Sequence, residues 1–189
     1  MRNLLLVFFV FSLATSQAQT LGFTFPEGRK RADIPIQIHN NLVVVSVTIN
    51  GTLPLKFIVD TGDRSAFTLY RKFSQKTHLD KIFTGKAEVL SGYGVGGPIP
   101  AQISTLQSIS LGRGLQLNDV LSRLPNTKGG VFAQSDQGGS IGNEILKRFT
   151  VTFDYPHKKM VLVRNNLFAV PFQFIPVPNP AGASKATTN

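Results

Sequence analysis

The triplet Asp60-Thr61-Gly62 is the stretch of this sequence best suited to chemistry, and it directly follows the apolar run Phe57-Ile58-Val59. Such a run predicts a strand buried on both faces. An ionised carboxylate at the end of that strand is costly unless it is hydrogen-bonded and close to water. Asp and Gly are also common wherever a strand ends in a turn. The triplet therefore fits either a structural turn or one half of a hydrolytic site.

The hydrolytic interpretation needs two carboxylates. Two such groups about 3 Å apart cannot both ionise, so they share one proton. One then acts as a base on a bound water, while the other donates a proton to the scissile carbonyl. The absence of a Cβ at Gly62 would let backbone N–H groups approach the Asp60 carboxylate. The Thr61 hydroxyl could lock the turn.

Two other aspartates are candidates for the second carboxylate, because Asp-Thr-Gly occurs once in the chain. Asp136 lies in the polar stretch QSDQGG with no apolar strand before it, and Asp154 precedes Tyr155-Pro156 with no glycine to expose it. Both are expected to be solvated or to stabilise turns.

Short runs of alternating apolar and polar residues, separated by turn signals, begin at Ile36 and predict an all-β domain. The strand NLVVVSVTI ends at Asn50-Gly51, a dipeptide suited to a tight hairpin, and LPLKFIVD returns as the next strand. AEVLSGYGVGGPIPAQIST predicts two strands joined by a glycine-rich turn. TLQSISLGRGLQL predicts two more strands around a turn at Gly112 to Gly114, and TVTFDYPHKKMVLV predicts a closing hairpin.

Helical signals are few. A short helix is expected within residues 69–79. Ile141, Ile145, Leu146 and Phe149 recur at helical spacing and predict the one convincing helix in the chain. The class is therefore β-rich with one short helix.

The ends of the chain differ in composition from its middle. Arg2, an apolar stretch from Leu4 and small residues before Gln19 predict a signal peptide over residues 1–18, with cleavage near Ala18-Gln19 and a secreted or periplasmic protein. An N-terminal segment then covers residues 19–34, and one domain covers residues 35–170. Residues 171–189 predict a flexible tail. No later segment has the roughly 20 apolar residues that a transmembrane helix needs.

Composition narrows the function classes. The formal net charge is +10, but the basic residues are scattered, so a nucleic-acid partner is not expected. A solvated surface that attracts acidic partners or anionic surfaces explains the charge better. The chain has no cysteine, which excludes disulfides and a thiol nucleophile. His39, His78 and His157 stand in unrelated contexts, so neither a metal nor another cofactor is expected.

Three stretches in order resemble one family. FIVDTG resembles the active-site strand of retropepsin-like aspartic proteases. SGYGVGGPI is similar to the family's flap, a glycine-tipped hairpin that closes over substrate, and SIGNEILKRF resembles the segment and short helix behind the catalytic loop. The final hairpin looks like that of bacterial secreted members. The resemblance covers roughly residues 41–163.

The resemblance implies a retropepsin-like acid protease barrel with one lobe per chain. It implies an endopeptidase in which Asp60 is catalytic, Thr61 and Gly62 hold the catalytic loop, and Ile141 with Gly142 supports that loop. Because the triplet occurs once, two chains meeting about a two-fold axis would form the site, so a homodimer is expected. The substrate would be a polypeptide, clamped by strand pairing to the flap residues Tyr93, Gly94, Val95, Gly96 and Gly97.

The sequence departs from the family after the triplet, where a small residue such as Ala or Ser is usual. Asp63 and Arg64 stand there instead. Asp63 could add a third negative charge near the catalytic pair and oppose its ionisation, or it could form an ion pair with Arg64 that limits this effect. Two alternative functions remain open: a catalytically inactive peptide-binding or structural β-domain of the cell envelope, and a basic domain that binds anionic surfaces.

Overall fold

The computed structural model of the chain describes residues 23–24, 29–51, 54–94, 97–112, 114–127 and 137–173. Several predictions lie outside these residues: the signal peptide over residues 1–18, the tail from residue 174 onward, the flap-tip residues Val95 and Gly96, and the loop position of Asp136.

The described residues form eleven strands: β1 (Phe23–Thr24), β2 (Arg31–His39), β3 (Leu42–Ile49), β4 (Leu55–Val59), β5 (Phe67–Leu69), β6 (Glu88–Gly94), β7 (Gly97–Leu111), β8 (Leu115–Pro125), β9 (Gly139–Ile141), β10 (Phe149–Asp154) and β11 (Lys159–Arg164). Two short helices accompany them, α1 (Arg71–Lys76) and α2 (Asn143–Leu146), with a 3-10 helix at Leu79–Phe83. The predicted all-β class is confirmed, with two short helices rather than one.

The strands lie in the order β10-β11-β2-β3-β4-β9-β5-β8-β7-β6, and β1 pairs with β8. An additional pairing of β3 with β7 joins the two sides of this sheet. Following the pairings from β3 through β4, β9, β5, β8 and β7 leads back to β3, so six strands close on themselves. β6 pairs with β7 outside this closed set, and β2, β11 and β10 continue the sheet from β3 in that order.

The parallel pairing of β4 with β9 places the segment that leads to Asp60 beside the segment that leads to Gly142. Phe57 lies opposite Gly139, and Val59 lies opposite Ile141. β5 pairs with the other edge of β9. A Cβ on Gly139 would lie 1.8 Å from the carbonyl oxygen of Thr68, so only glycine permits this close approach of β5 and β9. The chain that follows β4 is thereby held next to α2.

The buried face explains why these runs form strands. Alternate residues of β2 are buried, and Phe57 and Ile58 of β4 are both buried, as predicted for a strand covered on two faces. Phe57 stacks on Phe67 with ring centroids 4.5 Å apart inside one continuous apolar core. This packing fixes the end of β4, and with it the position of Asp60.

Two of the turns predicted from the sequence are present in the structure. Asn50 and Gly51 both have positive φ, 48° and 73°, which confirms the tight turn after β3. The closing hairpin is confirmed, with residues 155–158 as its turn between β10 and β11.

Two element predictions were wrong. TLQSIS does not start a new strand, because it continues β7, which runs for 15 residues without a break. The apparent helix over residues 141–149 is only α2, since Ile141 ends β9 and Phe149 starts β10. The spacing of the four apolar residues is that of three successive elements that all face one core.

Packing continues on both sides of the predicted domain bounds. β2 starts at Arg31 and pairs with β11. At the other end, the buried guanidinium of Arg148 donates to the carbonyl oxygens of Leu167, Val170 and Pro171, and it lies 4.5 Å from the ring centroid of Phe172. Within the described part of the chain, no helix is long and apolar enough to cross a membrane.

Candidate active site

The loop after β4 presents the Asp60 carboxylate to solvent. The backbone N–H of Asp60 donates to the carbonyl oxygen of Ile141 at 2.9 Å, which continues the parallel pairing beyond β4. Oδ1 of Asp60 accepts hydrogen bonds from the backbone N–H groups of Gly62, at 2.9 Å, and Asp63, at 3.2 Å. Oδ2 accepts none from the residues that the structure describes. One oxygen is therefore fixed by the loop, and the other is available for water or a partner group.

Gly62 and Thr61 contribute differently to this loop. A Cβ on Gly62 would lie 3.3 Å from Oδ1 of Asp60, so the close N–H approach predicted for this position is present. Thr61 is exposed, and its hydroxyl makes no hydrogen bond to any described residue. Its predicted role in holding the loop stays a prediction.

Gly142 supports the loop from behind. A Cβ at this position would lie 2.1 Å from the carbonyl oxygen of Ser65 and 2.7 Å from that of Asp63, so a larger residue would displace the loop. The backbone N–H of Gly142 donates to Ala66, and that of Asn143 donates to the Asp63 carbonyl at 2.6 Å. The start of α2 is thus pinned to the loop by its first N–H groups.

Asp63 turns away from the exposed carboxylate and is buried, with 7% of its surface exposed. Its carboxylate accepts hydrogen bonds from the backbone N–H and Oγ of Ser65, from Thr68 Oγ1 and from Ser140 Oγ, at 2.7 to 2.9 Å. The guanidinium of Arg123 completes the set, with Nη2 2.8 Å from Oδ1. Asp63 therefore ties the loop to β5, β8 and β9 at once.

The partners of the Asp63 carboxylate determine its charge state. Burial by itself would raise the pKa of Asp63, but the Arg123 guanidinium and the hydrogen bonds from Ser65 and Thr68 outweigh burial and hold that pKa below its ordinary value. The predicted Asp63–Arg64 ion pair is wrong, because Asp63 pairs with Arg123 and Arg64 is exposed. The negative charge of Asp63 is therefore balanced by the guanidinium of Arg123, so Asp63 is not an unpaired third negative charge beside Asp60.

Tyr70 is a buried phenol that packs against β3 and β4. It is 2% exposed and packs with Val44 and Ile58. Burial raises the pKa of Tyr70 to about 12, with a smaller opposing effect from the hydrogen bond to Ser140. The phenol therefore stays neutral across the physiological range.

The predicted flap is a real hairpin. Tyr93 pairs with Pro98 and Gly94 with Gly97 across β6 and β7, and Gly97 has φ 100°, a conformation that favours glycine. Tyr93 is 49% exposed. Val95 and Gly96 complete the predicted tip and lie outside the described residues.

Arg123 also connects the flap to the loop. Its Nη1 donates to Ser91 Oγ at 3.2 Å, and this hydroxyl in turn donates to the Ile99 carbonyl at 2.9 Å. Because Nη2 of the same guanidinium binds Asp63, one side chain contacts both the loop and the base of the flap hairpin.

Asp154 does not take part in this site. It accepts hydrogen bonds from the backbone N–H and Nδ1 of His157, at 3.2 Å and 2.7 Å, and these bonds lower its pKa. Its predicted turn-stabilising role is confirmed.

Sequence reasoning missed Arg123, Ser65, Thr68 and Ser140 as a single network. The available signal was the charged residue inside VLSRLP, a mostly apolar stretch of β8. A charge in such a stretch is expected to have a buried partner of opposite sign.

Comparison with known proteins agrees with this geometry. A family described as aspartyl protease matches residues 45–144, which is more than half of the chain and includes the Asp60 loop, the flap and the start of α2. In fold, the chain is similar to a retropepsin-like aspartic protease from Rickettsia conorii, with a TM-score of 0.51 and 19% identity over 74% of this chain and 92% of that one.

Basic 7S globulin from soybean is a more distant match. Its TM-score is 0.37 at 14% identity, over 86% of this chain and 49% of that chain, a level that carries no argument about the fold. No curated protein matches the chain in sequence.

Proposed function

Because the chain belongs to the aspartyl protease family and has the retropepsin-like fold, we propose that it is an aspartic endopeptidase whose site is completed by a second copy of the chain. The observation that carries the proposal is the Asp60 carboxylate, which is exposed, fixed through Oδ1 by two backbone N–H groups, and left with Oδ2 unbound by any described residue. One oxygen fixed and one oxygen free is the arrangement expected of a carboxylate that pairs with a second carboxylate to form a catalytic dyad.

In the proposed mechanism, two Asp60 carboxyl groups lie close together and share one proton. The ionised member takes a proton from a bound water, and the oxygen of that water attacks the carbonyl carbon of the scissile bond. The protonated member donates its proton to the carbonyl oxygen, which gives a neutral gem-diol. Collapse of this intermediate transfers a proton to the leaving amine and regenerates the shared-proton pair. No metal or organic cofactor enters these steps.

Substrate would lie between the loop and the flap hairpin. An extended peptide could pair with the strand edges near Tyr93 and Gly94, since backbone hydrogen bonding to a strand suits any sequence. Thr61 is exposed and makes no hydrogen bond to the described residues, so in the proposed dimer it would meet the partner chain's loop. Export through the N-terminal signal peptide belongs to this proposal as well.

Substitution of Asp60 tests the proposal. Asp60→Asn keeps the size of the side chain and is expected to abolish cleavage of an unselected peptide mixture at mildly acidic pH. Asp154→Asn is the matched control, because Asp154 caps a turn elsewhere and its loss is expected to leave cleavage unchanged. Cleavage retained by Asp60→Asn, with normal folding by circular dichroism, would refute the assignment.

Dilution tests the second copy. If the site needs two chains, activity per chain is expected to fall as the protein is diluted through its dimer dissociation constant. Analytical ultracentrifugation over the same concentrations measures that constant independently. Activity that is constant in a sample shown to be monomeric would refute the two-chain site.

A further inference from the structure

A cavity of about 260 Å³ lies between the end of the Asp60 loop, β6 and α2. Arg64 and Ser65 of the loop line it on one side, Ser91 of β6 and Arg123 of β8 on another, and Glu144 and Lys147 on the side of α2. It is bordered by the same two elements that would hold a substrate. Since ligand pockets for whole small molecules measure about 300–1,000 Å³, this one is of a size for a single side chain.

The charges around the cavity are unequal. Three cationic side chains and one carboxylate line it. Glu144 is occupied on both oxygens, Oε1 by Arg148 and Oε2 by Lys147. Arg123 is occupied by Asp63. The buried charges behind the wall, Asp63 and Arg148, are of opposite sign and offset each other, so a net positive charge remains in the cavity.

Arg64 supplies the one positive charge of the cavity lining that faces no described carboxylate. It is exposed, and among the residues that the structure describes it has neither an ion pair nor a hydrogen bond. A guanidinium presents a planar fork of donors that fits a carboxylate with two parallel hydrogen bonds. It stands four residues after Asp60, in the same loop, and it lines the cavity.

We propose that this cavity is a substrate subsite that selects an acidic side chain, with Arg64 as the specificity-determining residue. The inference rests on the proposed peptidase function. A Glu or Asp side chain of an extended substrate would enter between the loop and β6, with its carboxylate on Arg64 and its methylene groups against Ala66, Ile103 and Leu121 of the wall. The overall positive charge of the protein would attract such substrates.

Paired peptides test the selection. Cleavage is measured at pH 6 for a peptide set in which each position around the scissile bond carries either Glu or Gln. At one position the Glu peptide is expected to have a kcat/KM about five- to tenfold higher, the effect of one partly exposed charge-assisted contact. Raising the salt concentration is expected to reduce this ratio, because mobile ions screen an exposed pair.

Substitution of Arg64 tests whether this residue causes the preference for Glu over Gln. Arg64→Gln is expected to bring the Glu-to-Gln ratio at that position close to one, by lowering kcat/KM for the Glu peptide more than for the Gln peptide. Lys81→Gln removes the same charge from an exposed residue that does not line the cavity, and it is expected to keep the full ratio. Because Arg64 is exposed and unpaired, its substitution is not expected to lower the melting temperature.

The outcomes separate this inference from the proposed function. Equal rates for every Glu and Gln pair in the wild type, or an unchanged ratio in Arg64→Gln, would overturn the subsite. If the wild type cleaves no peptide, the proposed function fails, and calorimetric binding of the same peptides decides about the subsite. Tighter binding of a Glu peptide that is lost on Arg64→Gln would support it, and equal binding of both peptides would overturn it.

Discussion

Replacing Asp63 by Asn is the sharpest test of how the Asp60 loop is held. The substitution keeps the shape of the side chain but removes the charge that Arg123 faces at 2.8 Å, with side-chain exposures of only 8% and 3% for Arg123 and Asp63. Removing one partner of a buried ion pair leaves the other charge uncompensated and costs about 3–5 kcal/mol. Natural domains have about 5–15 kcal/mol of stability in total, so the loss is large and measurable.

The assay is equilibrium unfolding in urea at pH 7, followed by circular dichroism. Asp33→Asn is the matched control, since Arg31 and Asp33 form an ion pair of nearly the same length, 2.7 Å, at an exposed site. Its effect is expected to be far smaller, because water already solvates both groups. If Asp63→Asn destabilises the protein no more than Asp33→Asn, the buried pair does not hold the loop and the reasoning fails.

The same pair predicts a dependence on pH. The pKa of Asp63 is lower in the folded protein than its ordinary value, so its contribution to stability is fully present above that ordinary value, about 3.9, and is lost as the pH falls through the folded pKa. Below about pH 4 the wild type is therefore expected to lose stability more steeply than Asp63→Asn. Parallel unfolding curves for the two proteins between pH 5 and pH 2 would contradict this linkage.

Three further substitutions test other contacts. Gly142→Ala is expected to abolish activity and lower the melting temperature, because its Cβ would lie 2.1 Å from a loop carbonyl; Gly92→Ala, whose Cβ would meet only Arg123 Nη1 at 3.8 Å, is the control for melting temperature. Arg148→Met is expected to speed hydrogen exchange of the backbone over residues 165–172 and to cost about 3 kcal/mol, and unchanged exchange would contradict its role. Ser91→Ala removes the contact between Arg123 and the flap hairpin, so it is expected to raise KM with a stability cost of only about 1 kcal/mol; Michaelis kinetics with KM unchanged would contradict that coupling.

Local signals made part of the fold predictable. The Asn50-Gly51 turn, the β-branched run of β3 and the glycine-rich flap hairpin each depend on residues close together in sequence. The Asp60 loop was also predictable, because an apolar strand and a glycine two residues later are both local features. These elements carry their own conformational preferences, so sequence was enough.

Contacts between distant residues were not predictable in the same way. Asp63 and Arg123 are 60 residues apart, and the pairing of β5 with β8 that brings them together has no local signature. Arg64 was the nearer cation and therefore the obvious partner, but the backbone after Asp60 directs Asp63 inward and Arg64 outward. The spacing of the apolar residues over 141–149 predicted one helix, but these residues belong to β9, α2 and β10. Separate elements that face the same core can show the spacing of a single helix.

The network around Asp63 also sets an order of events during folding. Its partners come from the loop itself, from β5, from β8 and from Ser140 of β9, which is 77 residues along the chain. Closing contacts over such separations is slow and comes after local hairpins have formed. Until β9 has docked, the carboxylate lacks its hydrogen bond from Ser140, and the loop that carries Asp60 lacks its backbone contacts with Ile141 and Gly142. A chain that is only partly folded therefore lacks the full set of contacts that holds the Asp60 loop. Under the proposed function, we expect cleavage of peptide bonds, including those of the chain itself, to begin only after folding is complete.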